Sequence, residues 1–344
     1  MVERDMADSL SDIFGQEHAI DFLRRAYLAD RLPHGMIFAG PAGVGKGTTA
    51  KALATLFLCE KPKKDEPCGK CDSCRVMESG NHPDYHVIYK ELIRLYDKTG
   101  KSKGTSLSIN VIRPELIAKA ANKTIMGVGK VFVIEQADLM EAPAQNSMLK
   151  TLEEPHGRTL IILITDAPGW LLPTIRSRCQ MLRFAPLDRA TVAKQLAARK
   201  IEPALAKDAA SLADGSLGVA LKWIDDDVIG PARQLTGMID TILAGGDGAM
   251  DLPAWFKTAA EAYAQKQLDR DELASKDQAT REGLGLYLKI AADRCRSKLE
   301  TADEAQGDRL CGAIEAIVRA EGYLDGNVNT ALVFQQLALS LAAA

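Results

Sequence analysis

Met36-Ile-Phe-Ala-Gly-Pro-Ala-Gly-Val-Gly-Lys-Gly-Thr-Thr-Ala50 is the stretch on which the reading of the fold turns. Met36 to Ala39 is a short apolar run of the length expected for a buried strand. Gly40, Pro41, Ala42, Gly43, Val44 and Gly45 then make a turn rich in residues that tolerate unusual dihedrals, and Lys46 opens a helix expected to reach about Leu58. Strand, glycine-rich loop and helix in this order make a P-loop. Successive backbone N–H groups and the helix N-terminus form a concave anion site, and the lysine reaches the outer phosphates. Gly40, Gly43, Gly45 and Lys46 are therefore candidate ATP-binding residues, with Gly47 and Thr48 beside them. The pattern breaks one position later. A Ser or Thr hydroxyl should follow the lysine to bind magnesium, and here the residue is Gly47. Thr48 and Thr49 come next, but each helical step turns the side chain by about 100°. The phosphate cradle reads as kept and the metal position as damaged; a glycine-rich turn without a ligand is the alternative.

Upstream, Ile13-Phe14-Gly15-Gln16 leads into a helix with apolar positions at Ile20, Leu23 and Ala26, and His34 is given a structural role. Downstream, His82 to Tyr89 reads as a turn feeding a strand. Leu92 to Ser108, with Arg94, Lys98, Lys101 and Lys103, reads as an exposed basic loop, solvated or touching DNA phosphates. Ile109 to Ala121 is expected to be a helix despite Pro114, a residue tolerated where it lies in a first turn. Lys130 to Ile134 is a continuous apolar strand followed by Glu135, Gln136, Ala137 and Asp138. P-loop ATPases place at that strand end an Asp that holds the magnesium shell and a Glu that orients the attacking water. Glu135 is one methylene longer than Asp and is kept as a candidate nucleotide-site residue that reaches the ion, whereas Gln136 takes no proton from water.

Asn146 to Pro155 reads as a helix, Leu160 to Ile164 as a fourth strand, Trp170 to Arg178 as a helix and Met181 to Phe184 as a fifth strand. Thr165, at the carboxyl end of its strand, is expected to face a bound ligand. Strands alternating with helices at this spacing imply an α/β, doubly wound parallel sheet. Beyond Pro186 the strand signal stops. Helices are expected from Asp188 to about Arg199, Glu202 to Leu212 and Ser216 to Ile224, then a solvated linker at Asp225-Asp226-Asp227 and Gly230-Pro231, then mostly helix to Ala344.

Cys59, Cys68, Cys71 and Cys74 form a Cys-x8-Cys-x2-Cys-x2-Cys set right after the P-loop helix. Thiolates two residues apart bite one ion from a tight turn, and four of them close a tetrahedron with no open position. A structural zinc site is the favoured reading; an iron–sulfur cluster and unligated packing cysteines are the alternatives. Cys179, Cys295 and Cys311 are scattered, so seven cysteines do not make a disulfide framework.

With 344 residues, 47% apolar content and a net charge of −3, the chain has room for two or three cored domains, and nothing marks it as a strongly basic nucleic-acid binder. No apolar run has membrane-spanning length, and Met-Val-Glu-Arg-Asp-Met-Ala-Asp is too charged for a signal peptide, so a cytoplasmic location is expected.

The P-loop, the cysteine set after its helix, Asn146 to Pro155, and Ser177-Arg178-Cys179 together resemble the AAA+ subunits of the bacterial DNA polymerase III clamp loader, gamma/tau and delta-prime. The likeness covers about residues 11–224. It implies an AAA+ P-loop domain over residues 1–185 with the zinc module at 59–74, a small helical lid over 186–228, and an all-α collar domain over 229–344. It also implies that Arg178 acts in trans, reaching the ATP site of a neighbouring subunit, with Arg176 the alternative. Partners implied are gamma/tau and delta subunits in a hetero-oligomer, and through that complex the sliding clamp and primed DNA. Where the family carries a Gly-Ser-x-Arg sensor, this chain has Gly215-Ser216-Leu217-Gly218. That arginine is missing, as are the hydroxyl, Asp and Glu replaced by Gly47, Glu135 and Gln136. These departures are similar to a delta-prime subunit, a holoenzyme component without an ATPase of its own; an ATP-hydrolysing gamma/tau-like subunit is the alternative.

Overall fold

The computed structural model describes residues 9–97, 105–270, 275–325 and 328–343. Lys98, Lys101 and Lys103 of the expected basic loop lie outside them. The chain divides into two compact units, one formed by residues 3–192 and 214–219 and the other by 193–213 and 220–344.

In the first unit, α1 (Glu17–Leu28) precedes β1 (Gly35–Ala39), and α2 (Lys46–Leu58) and α3 (Asp72–Glu78) lead to β2 (Tyr85–Ile88). After α4 (Ile93–Tyr96), a continuous helical run comprises α5 (Ile109–Ile112), a π-helical stretch (Arg113–Ala118) and α6 (Lys119–Ala121). β3 (Lys130–Ile134), α7 (Ala142–Ser147), α8 (Leu149–Glu153), β4 (Thr159–Thr165), α9 (Pro173–Arg176) and β5 (Gln180–Arg183) complete the order. The five strands are parallel in the order β2-β3-β4-β1-β5.

Both faces of the sheet are covered, which is why β1, β3 and β4 read as unbroken apolar runs. Met36, Phe38, Val131, Val133, Leu160 and Ile162 pack with α1 and α2 on one face. Ile37, Phe132, Ile134, Ile161 and Leu163 pack on the other with Val111, Leu116, Ala144 and Leu152. This alternation is the period of two of a pleated strand, and it makes the sheet doubly wound as expected.

Several local expectations are corrected. Pro114 lies well past the first turn of its helix, and because proline lacks an N–H the run continues there as a π-helical stretch. The 92–108 segment contains α4. The 170–178 helix is a 3-10 turn, Pro168–Trp170, followed by the short α9, with Leu171 and Leu172 between them. The 146–155 helix begins earlier and is broken at Met148.

The second unit is helical. It contains most of α10 (Arg189–Ala198), α11 (Pro203–Leu212), most of α12 (Leu217–Asp225), α13 (Ile229–Leu243), α14 (Leu252–Arg270), α15 (Lys276–Leu299), α16 (Glu304–Asp325) and α17 (Thr330–Ala343). Its core includes Phe256 stacked on Phe334 with centroids 4.3 Å apart, and Tyr287 edge-on to Trp255 at 5.1 Å. The expected linker at 225–231 is not one. Asp226 has a side chain with 0% exposure paired to Arg270, Asp227 pairs with Lys266, and Arg270 Nη2 donates to the Asp225 carbonyl at 2.8 Å. Gly230 and Pro231 lie in the first turn of α13, where proline has no hydrogen bond to lose. The turn after α12 is clasped to the end of α14.

Candidate functional site

The P-loop follows the carboxyl end of β1. Gly45 caps α2 with φ 102°, and Gly43 takes φ 72°, conformations that residues with a Cβ adopt at a cost. Lys46 is buried. Its ammonium donates to Gly40 O at 2.5 Å, Pro41 O at 2.6 Å and Asp166 Oδ1 at 2.7 Å. Asp166, directly after Thr165, went unnoticed in the sequence because no motif marks it.

Gly47 puts no side chain at the magnesium position. Thr48 is exposed, and the Thr49 hydroxyl turns back along the helix to donate to Gly45 O at 2.9 Å. Glu135 and Gln136 are exposed at the end of β3, Gln136 with φ 49°. The protein around the Glu135 carboxyl withdraws enough water to raise its pKa, and Glu91 adds like-charge repulsion. Thr165 does not face a ligand: it is 1% exposed, and its hydroxyl donates to Asp138 Oδ1 at 2.7 Å while accepting from the Ala167 N–H at 3.1 Å. A strand-end position says which edge a residue occupies, not which neighbour takes its hydroxyl.

The segment carrying Gly215-Ser216-Leu217-Gly218 lies against the P-loop within the same unit. Ser216 Oγ donates to Ala42 O at 2.8 Å, and the Gly218 N–H donates to Gly43 O at 2.9 Å. A Cβ on Gly218 would lie 2.9 Å from both the Cα and the carbonyl oxygen of Gly43, so no larger residue fits there without displacing the loop. These groups do not fit a magnesium-bound triphosphate: the metal hydroxyl is absent and the lysine is engaged by Gly40, Pro41 and Asp166.

The cysteine set does come together. Cys59 ends α2, Cys71 caps α3 and Cys74 lies within it. The four Sγ atoms lie within 4.8 Å of one another, with Cys59 and Cys71 at 3.9 Å and Cys68 and Cys74 at 4.0 Å. Four sulfurs about 2.3 Å from one tetrahedral ion stand roughly 3.8 Å apart, so the residues fit such an ion. Amides converge on two of the sulfurs: Lys70 N–H at 3.5 Å and Cys71 N–H at 3.3 Å on Cys68, and Cys68 N–H at 3.3 Å on Cys59. The amides of Lys70 and Cys71 draw the Cys68 thiol down to about 6, whereas burial pushes Cys59 and Cys74 up.

The module is tied to the sheet through Ser73, whose hydroxyl donates to Leu58 O at 2.7 Å and meets His82 Nε2 at 3.0 Å. His82 Nδ1 accepts the Asp84 N–H at 3.1 Å. His82 is therefore the neutral Nε2–H tautomer, and burial lowers its pKa.

Arg178 stands elsewhere. Its Nε donates to Glu153 Oε1 at 2.6 Å, Nη2 pairs with the same carboxylate, and Nη1 donates to Thr174 O at 3.0 Å. The adjacent Cys179 Sγ packs against Gly35, the first residue of β1, whereas the P-loop begins after the last. Five strand residues at about 3.3 Å each separate the two ends, so Arg178 sits roughly 16 Å along the sheet from its own phosphate cradle. Burial raises the Cys179 thiol to about 12, as expected of a packing cysteine.

A five-stranded parallel sheet with a glycine-rich loop between β1 and α2 defines the P-loop α/β class. Residues 15–188 match the family model described as DNA polymerase III, delta subunit, and the chain belongs to that family. It is 36% identical over 193 residues to DNA polymerase III subunit delta' of Bacillus subtilis, covering 56% of this chain and 54% of that protein. It is 34% identical to the subunit delta' of Pseudomonas aeruginosa over 53% of each. Subunit tau/gamma of Haemophilus influenzae is 30% identical over 69% of this chain and 33% of its own length. The chain spans about half the length of the delta' relatives it matches.

Proposed function

We propose that the chain is a delta-prime-like subunit of a DNA polymerase III clamp loader, a largely non-hydrolysing stator that lends Arg178 to the ATP site of a neighbouring subunit. The observation that carries this reading is the position of Arg178 at the edge of the sheet opposite its own P-loop, on a partly exposed surface. A guanidinium there has no route to its own phosphate cradle, and to serve another molecule it would exchange its bonds to Glu153 and the Thr174 carbonyl for that partner. In trans it would offset charge building on γ-phosphoryl oxygens and make hydrolysis depend on assembly. The absence of a hydroxyl at Gly47 and of a proton acceptor at Gln136 supports a passive role for the chain's own site.

In this reading residues 1–185 form the AAA+ domain, 186–228 the lid and 229–344 a collar domain that joins gamma/tau and delta subunits. The assembly acts on the sliding clamp at primed DNA in the cytoplasm. Cys59, Cys68, Cys71 and Cys74 hold a structural Zn²⁺, which supplies cross-linking rather than reactivity, since four thiolates leave no open position. The test is Arg178→Ala in a complex reconstituted with its partner subunits. The complex should elute intact, while the site served by Arg178 loses about 10³-fold or more in DNA-stimulated turnover. Unchanged hydrolysis would exclude the role of Arg178.

A further inference from the structure

The cation of this chain's phosphate cradle is engaged by the chain itself. Lys46 is 5% exposed, and its three ammonium donors are taken by Gly40 O, Pro41 O and Asp166 Oδ1. Two of these acceptors are neutral carbonyls. The third is a carboxylate, a full negative charge at the mouth of a loop shaped for anions.

The rest of the loop is fixed as well. Ala42 O accepts from Ser216 Oγ, Gly43 O from the Gly218 N–H, and Val44 O from Gln16 Nε2 at 3.2 Å. The loop therefore keeps its curvature without a ligand.

We infer that Asp166 is the residue that keeps polyphosphate out of this P-loop: its carboxylate takes the place on Lys46 that a nucleotide's terminal phosphate oxygen would occupy, and repels that phosphate as a like charge. The inference rests on the non-hydrolysing reading and goes beyond it. Gly47, Glu135 and Gln136 account for lost metal binding and lost water activation, but a cradle lacking only those groups would still hold nucleotide. Asp166 adds an obstacle to binding itself.

That obstacle is electrostatic rather than steric, because the Asp166 side chain is 54% exposed and free to be neutralised without collapsing a core. A unit like charge about 5 Å away weighs well over a factor of ten at an effective dielectric of about 20, and partial exposure screens it below that limit.

The test is titration of the full chain with fluorescent ADP and ATP analogues, with and without magnesium, for wild type, Asp166→Asn, Asp166→Ala and the double variant Asp166→Asn/Lys46→Ala. Both single variants should bind at least about tenfold more tightly than wild type, and the double variant should lose that gain. Turnover should stay at background in all four. Failure of both single variants to gain affinity overturns the role of Asp166, as does submicromolar binding by wild type, which needs no variant. Rapid hydrolysis by wild type would instead refute the non-hydrolysing reading, with the role of Asp166 decided separately by the affinity comparison.

Discussion

Removing the metal should loosen the P-loop unit by an amount that follows from how the cysteine module is attached. Cys59 ends α2, the helix that carries Lys46, while Cys71 and Cys74 belong to α3. Further ties come from Arg24 to Asp65 at 3.3 Å, Ser9 and Ser11 to Glu66, and Ser73 to His82. The sulfurs stand near tetrahedral spacing, so the folded arrangement fits an ion that an unfolded chain would have no site for. Zinc at about a thousand times its dissociation constant stabilises by about 4 kcal/mol. For a unit of about 200 residues each kcal/mol moves the midpoint by about 2–4 °C, so loss of zinc should lower its melting by about 10 °C. The assay is differential scanning calorimetry of the full chain as purified, after exhaustive chelation, and as Cys74→Ser, with zinc measured by a colorimetric chelator. One zinc per chain, a lowered first transition after chelation and the same shift in Cys74→Ser are expected. A protein that contains no zinc, or melts identically in all three forms, would refute the reasoning.

Arg270→Ala leaves the buried Asp226 carboxylate without its cation. Because Arg270 is itself half exposed, the expected loss is about 2–3 kcal/mol, below the ~3–5 of a fully enclosed pair. Urea unfolding measures it, and a change under about 0.5 kcal/mol would mean that the turn after α12 is not clasped. Asp240 gives a pH signature. Burial pushes its carboxyl up, but hydrogen bonds from Arg294 at 3.0 Å and Lys298 at 2.9 Å outweigh this and hold it below the usual range. A depressed carboxyl contributes stability above its unfolded value of about 3.9 and loses it as pH falls through the folded value. Asp240→Asn should therefore melt lower than wild type at pH 7, by about 1 kcal/mol, with the difference fading below about pH 4. A gap that persists at pH 2 would contradict that linkage.

The sheet was legible because both of its faces are buried: Met36 to Ala39, Val131 to Ile134 and Leu160 to Ile164 carry continuous apolar runs that no half-exposed strand would need. The four cysteines were legible because chelate spacing is local. What escaped the sequence depends on partners distant along the chain. Asp225 to Asp227 look like a solvated joint until Arg270, 44 residues from Asp226, takes the middle carboxylate. Asp166 carries no motif, and its meaning comes only from Lys46, 120 residues away. Thr165 was placed at the correct strand end, but its hydroxyl is spent on Asp138. Gly218 read as a missing arginine; in the fold it is also a point of backbone contact with Gly43, where an arginine would not fit.

The central claim is that this molecule has kept the shape of a nucleotide site without its chemistry. Phosphate release by the isolated chain, followed with ATP and magnesium beside a Lys46→Ala control, tests it most directly. The account predicts that the two proteins are indistinguishable from background. Turnover of about 1 s⁻¹, lost on removing magnesium and absent from Lys46→Ala, would contradict it and favour a hydrolysing gamma/tau-like motor.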